Sequence, residues 1–220
     1  MPALRLSGRS YKVAARLSVW LLLAMGLVLT ILATLFPRLP GDLPVAHWVQ
    51  SLSTPRMDGL MEKVTLLGET YVAVASILVV AAVLALARHR RTAVAFLGIA
   101  VLEIMMEALK AIVDRPRPSG ELVLVFESGT SGSFPSGHTY HAVVFGGLLL
   151  ALVVSQIRQP WLRRSVTAIV VALILAVALS RVYLGAHWPS DVLGSVVLGI
   201  PSVAFLVFVW RRLPGGANAR

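Results

Sequence analysis

Residues 17–36 read LSVWLLLAMGLVLTILATLF and contain no charged side chain. A run of about 20 apolar residues is what an α-helix needs to cross a bilayer. Four more uncharged runs occupy residues 70–87, 139–157, 165–180 and 192–210. A sixth run, residues 92–113, is long enough but carries Glu103, Glu107 and Lys110. The sequence therefore predicts an all-α polytopic membrane protein with six transmembrane helices.

The composition agrees with this fold class. Of the 220 residues, 57% are hydrophobic and 14% are charged, whereas about 25% of a soluble domain is charged. Six such runs leave almost no polar face, which disfavours a soluble helical bundle. The length suits a single domain, residues 1–220. Cysteine is absent, which excludes disulfides, thiol chemistry and cysteine metal sites.

The net charge of +10 could suggest a nucleic-acid partner, but the placement of the basic residues favours a membrane orientation and no nucleic acid. In a six-helix topology, thirteen of the 20 lysines and arginines fall on one side. That side is cytoplasmic by the positive-inside rule, so we expect a cell-membrane protein with both termini in the cytoplasm. These residues are Arg5, Arg9, Lys12, Arg16, Arg88, Arg90, Arg91, Arg158, Arg163, Arg164, Arg211, Arg212 and Arg220.

The first outer loop, residues 37–69, contains apolar side chains at helical spacing. Polar residues lie between them, which is typical of a helix lying in the outer membrane interface. A packed linker explains the pattern equally well, and both interpretations remain open. The apolar residues are Met57, Leu60, Met61, Val64 and Leu67.

Three polar stretches fall at the outer ends of the predicted spans. They are KAIVDRPRP at residues 110–118, FPSGH at 134–138 and SRVYLGAHWPSD at 180–191. The inner-loop charges set the topology, so the shared location of these stretches is an independent observation. We expect one extracytoplasmic site that includes all three.

The cations and the small residues of these stretches indicate phosphate binding. Lys110, Arg117 and Arg181 supply three positive charges suited to a multivalent anion. Ser136 is a natural N-cap for the fourth span. Gly137 allows a ligand to approach the backbone, and the first amides of the helix add a cradle for phosphate. For Lys110 or Arg117 alone, snorkelling to the interface is the simpler explanation.

The histidines add chemistry. Asp191 lies four residues after His187 and could bond one ring nitrogen, which would leave the other nitrogen nucleophilic. His138, in the first turn of the fourth span, could donate a proton. This set suffices for phosphoryl transfer through a phosphohistidine without a metal. A plain interfacial anchor at His187 is the alternative for that residue taken alone.

These residues resemble the signature of the type 2 phosphatidic acid phosphatase superfamily. The signature is Lys, six residues, Arg-Pro, then Pro-Ser-Gly-His, then Ser-Arg, five residues, His, three residues, Asp. Residues 110–191 match in order and in every spacing. The six-span plan is similar to small bacterial lipid phosphatases of the phosphatidylglycerophosphatase B and undecaprenyl-diphosphatase kind.

The resemblance implies a role for each matching residue. His187 would be the nucleophile, Asp191 its partner and His138 the proton donor to the leaving group. Water would then hydrolyse the phosphohistidine, and the family needs no metal or other cofactor. The groups that would hold the phosphoryl oxygens are Lys110, Arg117, Ser136, Gly137 and Arg181.

Two further residues have supporting roles. Glu103, Glu107, Lys110 and Asp114 share one helix face, so Glu107 could hold the Lys110 ammonium. Glu103 should face the bundle interior, because a charge in hydrocarbon is costly. His141, one turn below His138, either bonds into the site or packs.

The expected function is metal-independent hydrolysis of a lipid phosphate or diphosphate at the outer face of the membrane. Candidate substrates are undecaprenyl diphosphate, phosphatidylglycerol phosphate and phosphatidic acid. The partners are that substrate and membrane lipids, and the oligomeric state is open. The alternatives are a lipid phosphotransferase with the same phosphohistidine, and a non-catalytic transporter or flippase of anionic lipids. The six spans exclude a soluble haloperoxidase.

Overall fold

A computed structural model describes the backbone of residues 8–214 and the side chains from residue 16 onward. This part of the chain is helical and contains no strand, which confirms the predicted fold class. The basic residues Arg5, Arg9, Lys12 and Arg220 lie outside the described side chains. The helices are α1 (Gly8–Leu35), α2 (Asp42–Gln50), α3 (Pro55–Thr65), α4 (Thr70–Leu86), α5 (Arg90–Val113), α6 (Gly137–Leu152), α7 (Pro160–Tyr183) and α8 (Pro189–Arg212).

Five helical segments are long and apolar enough to cross a membrane: α1, α5, α7, α8, and α6 together with the short 3-10 helix that extends it to Gln156. Helix α4 has 17 residues, and it qualifies as a sixth span only together with the segment Pro55–Gly68, from which it is bent by 51°. The span predicted at residues 70–87 is thus one arm of a bent pair. The acidic run at residues 92–113 forms an uninterrupted helix of 24 residues, α5.

The first outer loop contains two helices. The predicted helix around residues 57–67 is α3, which begins at Pro55 behind Thr54, whose Oγ1 accepts a hydrogen bond of 3.2 Å from the Met57 amide. The sequence did not predict α2. Met61 of α3 is buried in an apolar cluster with Val182 and Trp188, so α3 packs on the end of α7. Its location in the membrane interface stays a prediction.

Helices α6 and α8 form the centre of the bundle, and small residues allow their close approach. A Cβ added at Gly199 of α8 would lie 2.7 Å from Cγ1 of Val143 on α6. One at Gly194 would lie 2.3 Å from Phe134, which is fully buried just before α6. Because backbone and ring fit this tightly, the segment that carries Ser136 is held against the first turns of α8.

The directions of four helices bring the three polar stretches together. Helices α5 and α7 end, and α6 and α8 begin, at the same end of the bundle. Helix α5 stops at Asp114, whose φ of 44° is left-handed. The turn after α7 contains Gly185 at φ 67°, where a Cβ would lie 2.1 Å from the carbonyl oxygen of Leu124. The predicted gathering of the polar stretches is therefore confirmed.

Candidate active site

His187 lies in the short connection between α7 and α8 and is 3% exposed. Its Nδ1 is 2.7 Å from the carbonyl oxygen of Ser133, which can only accept, so Nδ1 carries the proton. Its Nε2 is 3.3 Å from Nη1 of Arg117, which can only donate. These two neighbours determine the tautomer, and the Nε2 lone pair points into a cluster of cations.

Asp191 lies beside this histidine but is not its direct hydrogen-bond acceptor. The distance from His187 Nδ1 to Asp191 Oδ2 is 3.8 Å, beyond hydrogen-bonding range. This corrects the expected bond between the two side chains, because the Ser133 carbonyl occupies that position. Oδ2 of Asp191 instead accepts from the Trp188 amide at 2.8 Å and from the Ser133 hydroxyl. Asp191 thus acts on the His187 ring through its charge and by holding Ser133 and Trp188 in place.

The electrostatic surroundings of His187 keep the ring neutral. Burial lowers its pKa to about 4, and the cations Arg117 and Arg181 act in the same direction. The Asp191 carboxylate opposes them by raising the pKa. Since the nucleophilic form of a histidine is the neutral one, the ring is ready to react at pH 7.

Lys110 ends α5 next to the start of α6. Its Nζ is 2.6 Å from Oε1 of Glu107, which confirms the predicted pair. A Cβ added at Gly137 would lie 3.4 Å from both of these atoms. The absence of a side chain at Gly137 therefore leaves the ammonium next to the first amides of α6.

Arg117 bridges two backbone segments at the site. Its Nε donates to the Ser131 carbonyl at 2.8 Å, and its Nη1 donates to the Ala186 carbonyl at 2.9 Å. Burial and the charge of Arg181 lower its pKa, against the raising influence of nearby acids such as Asp191. These two hydrogen bonds hold the guanidinium with its Nη1 3.3 Å from Nε2 of His187.

Arg181 is buried on α7 and is bound by Glu127, a residue that the sequence did not single out. Nη1 and Nη2 each lie 2.7 Å from a Glu127 carboxylate oxygen, and Nη1 also contacts the Thr65 hydroxyl. Burial opposes ionisation of Glu127, but the hydrogen bonds and charge of Arg181 outweigh it and lower the pKa of the carboxyl. This bidentate geometry is the one that a guanidinium offers to carboxylate or phosphate.

The start of α6 has the predicted N-cap. Ser136 precedes the helix, and its Oγ accepts from the Thr139 amide at 3.5 Å. His138 in the first turn has its Nε2 3.4 Å from Oε1 of Glu69, too poorly aligned to count as a hydrogen bond, so this buried nitrogen has no hydrogen-bond partner among the described residues. Ligand atoms of Glu69, Glu127 and His138 lie within 4.8 Å of one another. These groups could hold a cation, although both oxygens of Glu127 are bound to Arg181.

A buried charge network lies behind the site. Arg115 is 1% exposed and donates through Nη1 to Asp191 and, at 2.8 Å, to Oγ of Ser190. Its Nη2 donates at 2.9 Å to Asp42 at the start of α2. Asp42 also accepts from the amide and the hydroxyl of Ser190, at 2.9 and 2.8 Å. The network therefore joins the start of α2 to the first turn of α8.

The sequence from residue 91 to residue 214 matches the PAP2 superfamily. This match spans more than half of the chain. The chain belongs to the PAP2 superfamily. The three polar stretches that form the site fall within the matched residues.

Curated relatives carry two kinds of name. Phosphatidylglycerophosphatase B of Bacillus subtilis (strain 168) is 36% identical over 100 residues, covering 44% of this chain and 47% of that protein. An undecaprenyl-diphosphatase of Sulfolobus acidocaldarius is 26% identical over 187 residues, covering 82% and 85%. Phosphatidylglycerophosphatase B of Escherichia coli (strain K12) is 30% identical over 92 residues, covering 41% and 34%. The first relatives are thus matched over about half of their length or less.

Two crystal structures have a similar fold. The transmembrane PAP2-type phosphatidylglycerolphosphate phosphatase of Bacillus subtilis superposes with a TM-score of 0.77 at 22% identity, covering 91% of this chain and 99% of that one. Aquifex aeolicus LpxE has a TM-score of 0.61 at 21% identity, with coverage of 79% and 98%. At this identity the likeness establishes the fold, including the multi-pass membrane architecture.

Each predicted site residue lies at or near the end of the bundle where α5 and α7 end and α6 and α8 begin. The supporting residue His141 pairs through Nδ1 with Glu103 at 2.6 Å, and its Nε2 lies 3.3 Å from Oγ of Ser76. Glu103 is therefore paired, as expected for an acid within a span. No role was predicted for Arg115, and the sequence patterns did not single out Asp42, Glu69, Glu127 or Ser133. The contacts of these residues with the site join positions 54 to 148 residues apart. Only Arg115 could have been noticed from the sequence, because it lies two residues before Arg117 of the signature.

The ionisation of His187 makes a measurable prediction. An unfolded histidine titrates near pH 6.5, whereas His187 in the folded protein titrates near pH 4. Between these values the unfolded chain binds more protons, so stability falls as the pH is lowered from 7 to 4. We expect the melting temperature in detergent to fall over this range, and we expect His187→Gln to flatten the curve. An equal pH dependence in both proteins contradicts the lowered pKa of His187.

Proposed function

We propose that the protein hydrolyses a lipid phosphate or diphosphate through a phosphohistidine on His187, without a metal, at the extracytoplasmic face of the membrane. The observation that carries this proposal is the tautomer of His187. Its Nδ1 donates to a backbone carbonyl, and its bare Nε2 faces Arg117 within hydrogen-bonding range. A nucleophile in this form, surrounded by cations, suits attack on an anionic phosphorus centre.

The chemistry proceeds in two displacements. The lone pair on Nε2 of His187 attacks phosphorus, and the bond from phosphorus to the leaving oxygen breaks. The charge of the bound phosphate favours protonation of His138, and the leaving oxygen takes that electron pair together with this proton. Water then attacks phosphorus, the nitrogen–phosphorus electron pair returns to Nε2, and His138 recovers a proton. Both histidines end as they began, so the site turns over without a cofactor.

Phosphate binding requires a rearrangement at Arg181. Its two Nη atoms hold the carboxylate of Glu127, and an arriving phosphate would take over these bonds with the same geometry. Lys110 and the first amides of α6 supply further positive groups on the adjacent side. A phosphate carries more charge than a carboxylate, so it competes effectively for the site.

The lipid nature of the substrate is supported by the location of the site and by the names of the relatives, which include phosphatidylglycerophosphatase B and undecaprenyl-diphosphatase. The site lies at the ends of four apolar helices. An apolar groove of about 980 Å³ runs along the bundle from Arg16, past Met105 and Pro201, to Tyr140. This groove offers an apolar surface on which hydrocarbon chains can pack.

The activity test uses purified protein in detergent with a chelator present. We expect phosphate release from at least one of phosphatidic acid, phosphatidylglycerol phosphate and undecaprenyl diphosphate. His187→Ala should lower the rate by a factor of about a thousand or more while the protein remains folded, because no other described group can take the phosphoryl group. Substantial hydrolysis by folded His187→Ala protein contradicts the mechanism. Phosphorylated acceptor products would indicate the phosphotransferase, and lipid movement without hydrolysis would indicate the transporter.

The orientation is testable because the chain has no native cysteine. Glu121 is exposed in the connection between α5 and α6, on the side of the site, and Arg158 is exposed before α7 at the opposite end. We expect Glu121→Cys to react with an impermeant thiol reagent outside intact cells, since the basic loops stay in the cytoplasm. Arg158→Cys is the matched control and should react only after lysis. The reverse pattern would place the site in the cytoplasm.

The pair of Glu107 and Lys110 predicts a graded effect on catalysis. Glu107 is 59% exposed, and a pair of this kind contributes about 1 kcal/mol or less. We therefore expect Glu107→Gln to lower kcat/KM several-fold with little change in melting temperature, because Lys110 loses its anchor. The matched control is Glu103→Gln on the same helix, which should be mild because an amide still bonds His141. Wild-type kinetics for Glu107→Gln across a range of pH would show that Glu107 does not position Lys110 for catalysis.

A further inference from the structure

The buried network behind His187 contains more negative than positive charge. The oxygens of Asp42 face only donors, which are the Leu39 and Ser190 amides, the Ser190 hydroxyl and Arg115. Those of Asp191 likewise accept from the Trp188 amide, the Ser133 hydroxyl and Arg115. A carboxyl whose oxygens all accept is ionised. Two carboxylates and one guanidinium therefore give a net charge of −1.

This charge is buried as well as unbalanced. The side chain of Arg115 is 0% exposed, that of Asp191 is 0% and that of Asp42 is 2%. Water screens such charges poorly, so they act on their neighbours over longer distances than surface charges do. The nearest ionisable neighbour is His187, whose Nδ1 lies 3.8 Å from Asp191. A cation formed on this ring would balance the network.

The phosphohistidine step forms that cation. When Nε2 bonds to phosphorus and Nδ1 keeps its proton, the imidazole ring gains one positive charge. With Arg115 and Asp191 alone, the charge behind the ring would be zero. Asp42 restores the value of −1, and it does so from the first outer loop. Interactions that strengthen only as the charge develops lower the barrier rather than the ground state.

We propose that Asp42 and Arg115 are positioning residues that set the charge behind His187, so that Asp42 stabilises the cationic ring of the phosphoenzyme through Arg115 and Asp191. Neither residue needs to touch the substrate. This inference rests on the proposed function for its catalytic meaning, but the charge coupling itself can be measured without substrate. It also explains why the start of α2 is joined to the start of α8 by the two hydrogen bonds from Ser190 to Asp42.

The titration of His187 tests the coupling directly, by NMR of ¹⁵N-labelled histidine in the detergent-solubilised full chain. Removing one negative charge should make the ring harder to protonate, so Asp42→Asn shifts the His187 titration to lower pH. Arg115→Gln should shift it to higher pH, and the double variant should titrate near the wild type. Either single variant carries the test if the other does not fold. The other charged or titratable groups that face the ring stay unchanged: Asp191 on α8, Arg181 on α7, His138 on α6, and Arg117 and Glu127 between α5 and α6.

Two controls separate charge from structure. Asp58→Asn alters an acid in the same outer loop, one that accepts from the hydroxyls of Ser53 and Tyr183, and it should leave the His187 titration unmoved. Ser190→Ala removes hydrogen bonds from the network without changing its charge, so it should also leave the titration unmoved. A shift of the same sign in Asp42→Asn and Arg115→Gln would overturn the proposal. So would a shift in Ser190→Ala as large as that in Asp42→Asn.

The catalytic consequence is measured by rapid quench with radiolabelled phosphatidic acid, or with undecaprenyl diphosphate if only that is hydrolysed. We expect Asp42→Asn to slow phosphohistidine formation about tenfold with KM within about twofold, and we expect Asp42→Asn/Arg115→Gln to recover most of the rate. A wild-type rate in Asp42→Asn would overturn the inference alone. If the wild-type protein hydrolyses lipid but forms no phosphohistidine, the proposed mechanism fails, while the titration still decides whether the charges are coupled.

Discussion

The buried ion pair between Arg115 and Asp191 is the interaction on which the arrangement of the site depends. It joins the residues after α5 to the first turn of α8, and Asp42 extends it to the first outer loop. Removing one of these charges would cost several kcal/mol, because its partner would be left as an unbalanced charge buried away from water. The ion pair therefore fixes the three segments relative to one another. The same Asp191 carboxylate also binds Ser133 and Trp188, which flank His187.

The consequence for His187 is indirect. Asp191 bonds the Ser133 hydroxyl and the Trp188 amide, while the Ser133 carbonyl accepts from Nδ1 of the histidine. Asp191 thus positions Ser133, whose carbonyl orients the His187 ring. Its Oδ2 lies 3.8 Å from Nδ1 of His187. This differs from a simple pair of aspartate and histidine, since orientation comes from a backbone carbonyl and the charge comes from the carboxylate. Separating the two tasks lets the Asp191 carboxylate remain fully engaged with Arg115.

Local patterns in the sequence were enough for the spans, the N-cap at Ser136, the pairing of Glu107 with Lys110 and the gathering of the signature residues. Each of these depends on spacing within one helix or on the alternation of helix directions. The partners Asp42, Ser133 and Glu127 could not be predicted, because their contacts join distant positions, such as Asp42 and Ser190, 148 residues apart. Helix α2 was missed because its nine residues include Pro44 and have no strong periodicity. The 51° bend before α4 accompanies the packing of Met61 of α3 against Val182 of α7, a contact between distant positions that local patterns do not reveal.

The acids around the mouth of the site bear on which acceptor completes the reaction. Side chains of Glu69 and Glu127 are 32% and 31% exposed, so water reaches this side of His138. In the proposed mechanism, an anionic lipid that approaches the phosphohistidine as acceptor meets these two carboxylates, and repulsion between like charges raises its barrier. Water carries no charge and needs only a base to take its proton. His138 can be this base, because it has donated its proton to the leaving group and lies beside both Glu69 and Glu127. The charge at the mouth therefore favours water over an anionic acceptor, and among acceptor lipids only one with a neutral headgroup would compete.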